Sequence, residues 1–207
     1  MVTKRAAKRP ARPAIENVRE RILATARDLI YSEGARAVGV DRIVAESGVA
    51  KMSLYRWFPS KDELIVAVLN EERRRILSVW DANVEKFKGE PLRQLRAQFE
   101  SLERALVQPG YRGCAFLNAA MAFADEAHPA RAVAREFKDE ITRRFAELAR
   151  AVGAKQPEVL AARLYLLVAG AQASGHASGW SEPSKHLVAI ADTLIAAHVP
   201  ASQRSAK

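Results

Sequence analysis

The stretch VAESGVAKMSLYRWFPSKDEL, residues 44–64, sets two short helical patterns on either side of Gly48 and follows them with a helix start. In the first pattern Ile43 and Val44 point inward, and in the second Leu54 and Phe58 do, with Val49 at the turn between them. Pro59 stops the second helix. Ser60 with Glu63 three residues on makes a capping box, and Asp62 and Glu63 suit the positive end of the next helix. Two short helices joined by a glycine turn have the layout of a helix-turn-helix, whose second helix enters the DNA major groove. Helix pairs with a glycine turn also occur in bundles that bind no DNA, so the side chains must decide.

Opposite Leu54 and Phe58, the second helix presents Lys51, Met52, Ser53, Arg56 and Trp57, with Tyr55 at the edge. Lys and Arg donate to guanine O6 and N7, a serine hydroxyl reaches bases or phosphates, and a methionine methyl meets a thymine methyl. The tyrosine hydroxyl and the indole N–H suit phosphate at the groove walls. Free amides at the starts of two helices, at Gly39 and Val40 and at Ser60 and Lys61, are phosphate sites, and Lys61 adds a charge beside one of them.

Working outward, the chain reads as all-α. Apolar residues recur three and four apart from residue 15 to 199, with no period-two runs that would mark strands. A first helix carries Ile15, Val18, Ile22, Ala26, Leu29 and Ile30 on one face and stops at Gly34. The helix opened by Ser60 runs to about Phe87. Pro91, Pro129 and Pro157 open three more, a short helix runs from Cys114 to about Ala124, and a last one spans about Ser184 to His198. The expected division is a basic flexible arm over 1–14, a helix-turn-helix DNA-binding domain over 15–60, a further helical domain over 61–200, to which the family resemblance given below assigns regulation, effector binding and dimerisation, and a flexible tail over 201–207.

Charge agrees with a polyanion partner at one end. Residues 1–61 hold 13 Lys or Arg against 6 Asp or Glu, whereas the remainder holds 20 against 18. Such asymmetry favours an N-terminal unit that releases counterions from a phosphate backbone. The single cysteine, Cys114, excludes an internal disulfide and a C-x-x-C zinc site, which points to a reducing, cytoplasmic setting. No stretch approaches the roughly 18 unbroken apolar residues of a membrane helix. There is no G-x-S-x-G elbow, no P-loop and no H-E-x-x-H, so the sequence calls for no catalysis, metal or cofactor.

The run VDRIVAESGVAKMSLYRWFPSKDEL, preceded by an amphipathic helix and by EGARAVG, resembles the N-terminal domain of TetR-family transcriptional regulators. The resemblance spans about residues 15–70. It implies that Lys51, Ser53, Tyr55, Arg56 and Trp57 lie on a recognition helix, that Tyr55 and Lys61 bind phosphates, and that Arg42 approaches DNA. Two positions depart from the family pattern: Gly39 and Ala50 stand where Ser or Thr usually cap the two helices. Glycine is a tolerable cap and alanine a poor one, which leaves only backbone amides there.

The family's C-terminal domain binds a small effector among its middle helices and dimerises through its last two. The resemblance therefore implies a homodimer on a palindromic, double-stranded operator and an unknown small apolar effector. Small residues Ala161, Ala169, Gly170 and Ala173 would allow close helix approach in such a dimer, or could serve the same subunit's packing. Trp80, Phe99, Tyr111, Phe116, Asn118, Met121, Phe145, Tyr165, His176 and Trp180 are candidate pocket residues, and the same side chains would serve as plain core. Cys114 is a redox candidate, since Arg112 and a helix start would lower its pKa; the alternative is a small buried hydrophobe. A DNA-binding regulator without any effector is the third reading.

Overall fold

The computed structural model describes residues 15–201, with the side chains of 15–17, 177 and 178 outside that description. The expected basic arm over 1–14, the inward side chain of Ile15 and residues 202–207 of the expected tail thus lie outside the described residues. Among the described residues there are nine helices and no strand: α1 (Ile15–Glu33), α2 (Val40–Ser47), α3 (Lys51–Trp57), α4 (Lys61–Lys86), α5 (Pro91–Leu106), α6 (Ala115–Ala122), α7 (Pro129–Ala151), α8 (Pro157–Ser178) and α9 (Ser181–His198).

Local chemistry sets most of these boundaries. Helix α1 ends where Gly34 takes φ +96°, and its amide donates to the Ile30 carbonyl at 2.9 Å. The Ser60 hydroxyl accepts from the Glu63 amide at 3.1 Å, which completes the expected cap of α4. Prolines sit in the first turns of α5, α7 and α8, where a missing N–H costs nothing. Two ends differ from expectation. Helix α6 is two residues shorter at its end, because Phe123 is extended and the Asp125 carboxylate accepts from the Ala127 amide in a turn. Helix α9 starts at Ser181 rather than Ser184; Pro183 falls in its first turn and is accommodated there.

Two hydrophobic cores result. The first gathers Ile22, Leu23, Ala26, Leu29, Val38, Ile43, Leu54 and Phe58 with Leu64 and Val68 of α4, and forms the headpiece. The second runs from Ile65 and Leu69 of α4 through Trp80, Leu95, Phe99, Phe116, Phe137 and Phe145 to Leu160, Leu187 and Ile195, and forms the body. Helix α4 belongs to both: neighbouring residues Leu64 and Ile65 feed different cores, as do Val68 and Leu69. Ile30 of α1 packs against both clusters as well. Helix α4 thus couples the headpiece to the body, because close-packed cores on both its sides resist independent sliding.

Candidate nucleic-acid interface

Helix α3 is held from behind. Leu54 is fully buried and Phe58 nearly so, whereas Met52 on the far side is 80% exposed. Burying those two side chains stabilises the pose by about 1.5–3 kcal/mol each. The turn in front of α3 depends on Gly48, which caps α2 at φ 63° and ψ 29°, the left-handed region that other residues enter at a cost. A second constraint acts there: Arg21 of α1 donates through Nη2 to the Ser47 carbonyl at 2.5 Å, and a β-carbon at position 48 would come within 3.0 Å of that nitrogen. Arg21 thus satisfies an orphan carbonyl at the end of α2 and ties α1 to the turn.

The outward face is cationic and partly pre-paired. Lys51, Tyr55 and Arg56 are exposed, while Ser53 and Trp57 are half-buried, and Trp57 packs against the headpiece core. Trp57, expected on the outward face, thus also serves the headpiece core. Asp41 of α2 accepts from Lys51 at 2.6 Å, and that hydrogen bond raises the ammonium above its ordinary range. Arg42 is bonded to Glu46 at 2.5 Å and to Glu33 at 3.2 Å, and the Glu46 bond raises its guanidinium in the same way. The Lys61 ammonium donates to the Arg36 carbonyl at 3.3 Å, which bridges the start of α4 to the loop before α2. Gly39 and Ala50 cap α2 and α3 in extended conformation with no side-chain hydrogen bond, so the first amides of both helices stay open.

A helix-turn-helix with an exposed cationic second helix, on an all-helical body, is the arrangement found in known regulators. The family profile described as "Bacterial regulatory proteins, tetR family" matches residues 22–68. A TetR-family transcriptional regulator from Streptomyces coelicolor shares 31% identity and superposes with a TM-score of 0.85 over 89% of this chain and 97% of its own. The chain belongs to the TetR family of transcriptional regulators. A TetR transcriptional regulator from Chloroflexus aurantiacus J-10-FL is 25% identical, with a TM-score of 0.74 over 89% of this chain and 97% of that one. The HTH-type transcriptional regulator EthR of Mycolicibacterium smegmatis is 29% identical over 93 residues, 45% of this chain and 43% of EthR. The chain thus spans less than half the length of that curated relative.

In this TetR-family protein the expected pocket residues fall into separate groups. Trp80, Phe99 and Phe145 pack ring on ring: Phe145 meets Trp80 edge-on at 4.8 Å and stacks on Phe99 at 5.5 Å. Phe116 stacks on Phe137 at 3.8 Å. Tyr111 and His176 each meet Trp180 edge-on, at 4.9 and 4.8 Å, and Gln172 donates to the Tyr111 hydroxyl at 3.4 Å. Tyr165 is half-buried against the body core. Asn118 donates to the Arg112 carbonyl at 2.8 Å, which closes the turn before α6. Met121 is 85% exposed and lines no interior space; α6 is apolar nearly all round, so its sequence did not say which side faces out. A cavity of about 770 Å³ lies elsewhere, in the groove where α1 and Phe58 meet the start of α4 and Pro129, and one of about 280 Å³ lies between α5 and α9.

Cys114 behaves differently from the low-pKa reading. It is buried, and burial pushes the thiol pKa up, outweighing the amides of Leu117 and Phe116 that lower it. Arg112, two residues away in sequence, is exposed. The small-residue segment of α8 also has a role that its spacing did not reveal: the Trp180 indole lies directly on the α-carbon of Gly175, where any β-carbon would overlap the ring. Ala161 is buried in its own subunit, whereas Gly170 and Ala173 face out. Among the described residues no helix is long and apolar enough to cross a membrane.

Proposed function

We propose that this DNA-binding regulator is a dimeric repressor, released from a two-fold symmetric operator by a small apolar effector. The observation that carries the DNA half is the locked recognition helix: Leu54 and Phe58 fix α3 from behind while Lys51, Met52, Tyr55 and Arg56 stand exposed in front, Lys51 already paired with Asp41. Lys51 and Arg56 read guanine edges, Met52 and Ser53 contact neighbouring bases, and Tyr55 reaches phosphate with Trp57 buttressing the helix. The open amides at Gly39 and Val40, with Arg42 and Lys61, hold the phosphates on either side. Residues 15–60 act as the reading unit and 61–200 as the sensing and dimerising unit, in the cytoplasm.

The outer face of α8 and α9 supports the dimer. Val159, Leu166 and Ala173 repeat every seven residues along α8, each exposed, and Ile190 is exposed on α9. A heptad stripe of that kind packs against a second copy in a four-helix interface. Effector release then follows from α4, which both cores grip. A ligand that parts the Trp80–Phe99–Phe145 rings or the Tyr111–Trp180 pair shifts α4 and the spacing of the two headpieces. The required coupling is about 1–3 kcal/mol. The test is a thermal-shift screen of small apolar compounds, followed by titration of each stabilising compound into the protein–DNA complex. Compounds that raise the melting temperature and release DNA are expected; a compound that stabilises the protein yet leaves DNA affinity unchanged contradicts the release step.

A further inference from the structure

We infer that the Tyr31 hydroxyl is a positioning group for DNA binding, clamping the headpiece to the turn at residues 111–114 and passing to α1 any displacement of that turn from the α8 side. The inference rests on the reading of the headpiece as the DNA-binding unit. Tyr31 lies in the last turn of α1, next to Ile30, which packs against both cores. Its hydroxyl donates to the Gly113 carbonyl at 3.1 Å and accepts from the Arg112 amide at 2.9 Å, pairings across 82 and 81 positions of sequence. Bonding the peptide on either side of the Arg112–Gly113 link at once fixes the orientation of the turn as well as its distance. Burial raises the phenol pKa, so the hydroxyl keeps its proton and remains donor and acceptor together.

The other side of the turn is closed by α8. At Gly113, which has φ +81°, a β-carbon would lie 2.8 Å from His176 Nε2, 3.1 Å from the Trp180 ring and 3.3 Å from the Gln172 carbonyl oxygen. Trp180 in turn rests on Gly175 and meets Tyr111 edge-on. The turn therefore has no slack: with α8 and Trp180 behind it and Tyr31 in front, a shift of Trp180 or His176 must move the Arg112 and Gly113 peptides against the hydroxyl. Helix α1 carries that shift to α2 and α3, because Ile22, Leu23, Ala26 and Leu29 share one core with Ile43, Leu54 and Phe58. Phenylalanine at position 31 would keep the packing and remove only the clamp.

The test is a double-mutant cycle on the full chain. The native protein first enriches its preferred duplex from a randomised library, and that duplex is the probe for native, Tyr31→Phe, Trp180→Ala and doubly substituted proteins. In the native background Trp180→Ala is expected to change the DNA Kd by about fivefold or more, and in the Tyr31→Phe background by less than about twofold. His176→Ala, an exposed position, repeats the cycle should Trp180→Ala fail to fold. Hydrogen exchange supplies a second reading: Tyr31→Phe speeds exchange at residues 111–114 while Ile43 and Leu54 stay protected. Equal effects of Trp180→Ala in both backgrounds, or loosening of the whole headpiece by Tyr31→Phe, overturn the inference. A native protein that enriches no duplex overturns the DNA-binding reading and this inference with it, whereas enrichment with additive effects overturns the inference alone.

Discussion

The headpiece and the body bury apolar side chains by the same rule yet carry their functional groups on opposite sides of it. In the headpiece the candidate residues are what packing leaves over: Leu54 and Phe58 are taken by the core, and Lys51, Met52, Tyr55 and Arg56 remain outside. In the body most candidate residues are the packing itself, since Trp80, Phe99 and Phe145 are buried ring on ring and Phe116 is buried against Phe137. A surface for a polyanion can thus be altered without disturbing the fold, whereas a pocket for an apolar molecule competes with the core for the same side chains. Helix α4 joins the two regimes because it contributes to both cores.

The sharpest way to probe that difference is to truncate each core. Phe145→Ala removes the ring shared by Trp80 and Phe99 and is expected to cost about 3–5 kcal/mol, and Leu54→Ala about 2–5 kcal/mol, both measured by denaturant unfolding. Only Leu54→Ala is expected to abolish DNA binding under conditions where the variant remains folded. Arg56→Ala, on the outward face, should leave unfolding unchanged and weaken specific DNA binding by about 1–3 kcal/mol; an equal loss on random duplex would assign Arg56 to phosphate instead. Leu166→Glu, at a position 68% exposed in the single chain, should leave the melting temperature of the isolated subunit nearly unchanged but yield a monomer by sedimentation. A persistent dimer would move the interface off α8.

The smallest expected effect is on pH. Burial raises the Cys114 thiol and the Tyr31, Tyr111 and Tyr165 phenols, so the folded chain holds these protons to higher pH than the unfolded chain does. Stability from this source is complete below the ordinary thiol pKa of about 8.5 and declines as pH rises through it and through the phenol range near about 10. Melting temperatures measured from pH 7.5 upward should fall, and Cys114→Ala combined with Tyr111→Phe should flatten the slope. A thiol that is alkylated at pH 7 as fast as free cysteine would contradict the burial of Cys114 and revive its sensing role.

Much of the fold was legible because its signals are local. Gly34, Ser60, Pro91, Pro129 and Pro157 each stop or start a helix through their own backbone chemistry, and the period of Leu54 and Phe58 is enough to tell the inside of α3 from the outside. What stayed hidden depends on partners distant in sequence. Arg21 gave no sign of its role because its acceptor is a backbone carbonyl 26 positions away. The seat of Trp180 on Gly175, and with it the start of α9, requires two helices to meet. Between the two readings of Cys114 the sequence could not choose for the same reason: Arg112 is close in sequence but faces out, and burial raises the thiol. Lys51 and Arg42 were readable as cations, and Glu46 lies one helical turn from Arg42, whereas the pairing of Lys51 with Asp41 and of Arg42 with Glu33 needed the geometry of α1, α2 and α3 together.

The most direct test of the account is to let the purified protein select from a randomised duplex library and then to footprint it on the enriched sequence. Two protected half-sites related by a two-fold axis, with centres about one helical turn or a multiple of it apart, are expected, and Arg56→Ala should relax the selection at the base position it reads. Binding to the enriched duplex that is no tighter than binding to the starting pool would contradict the assignment of residues 51–61 as a sequence-reading surface.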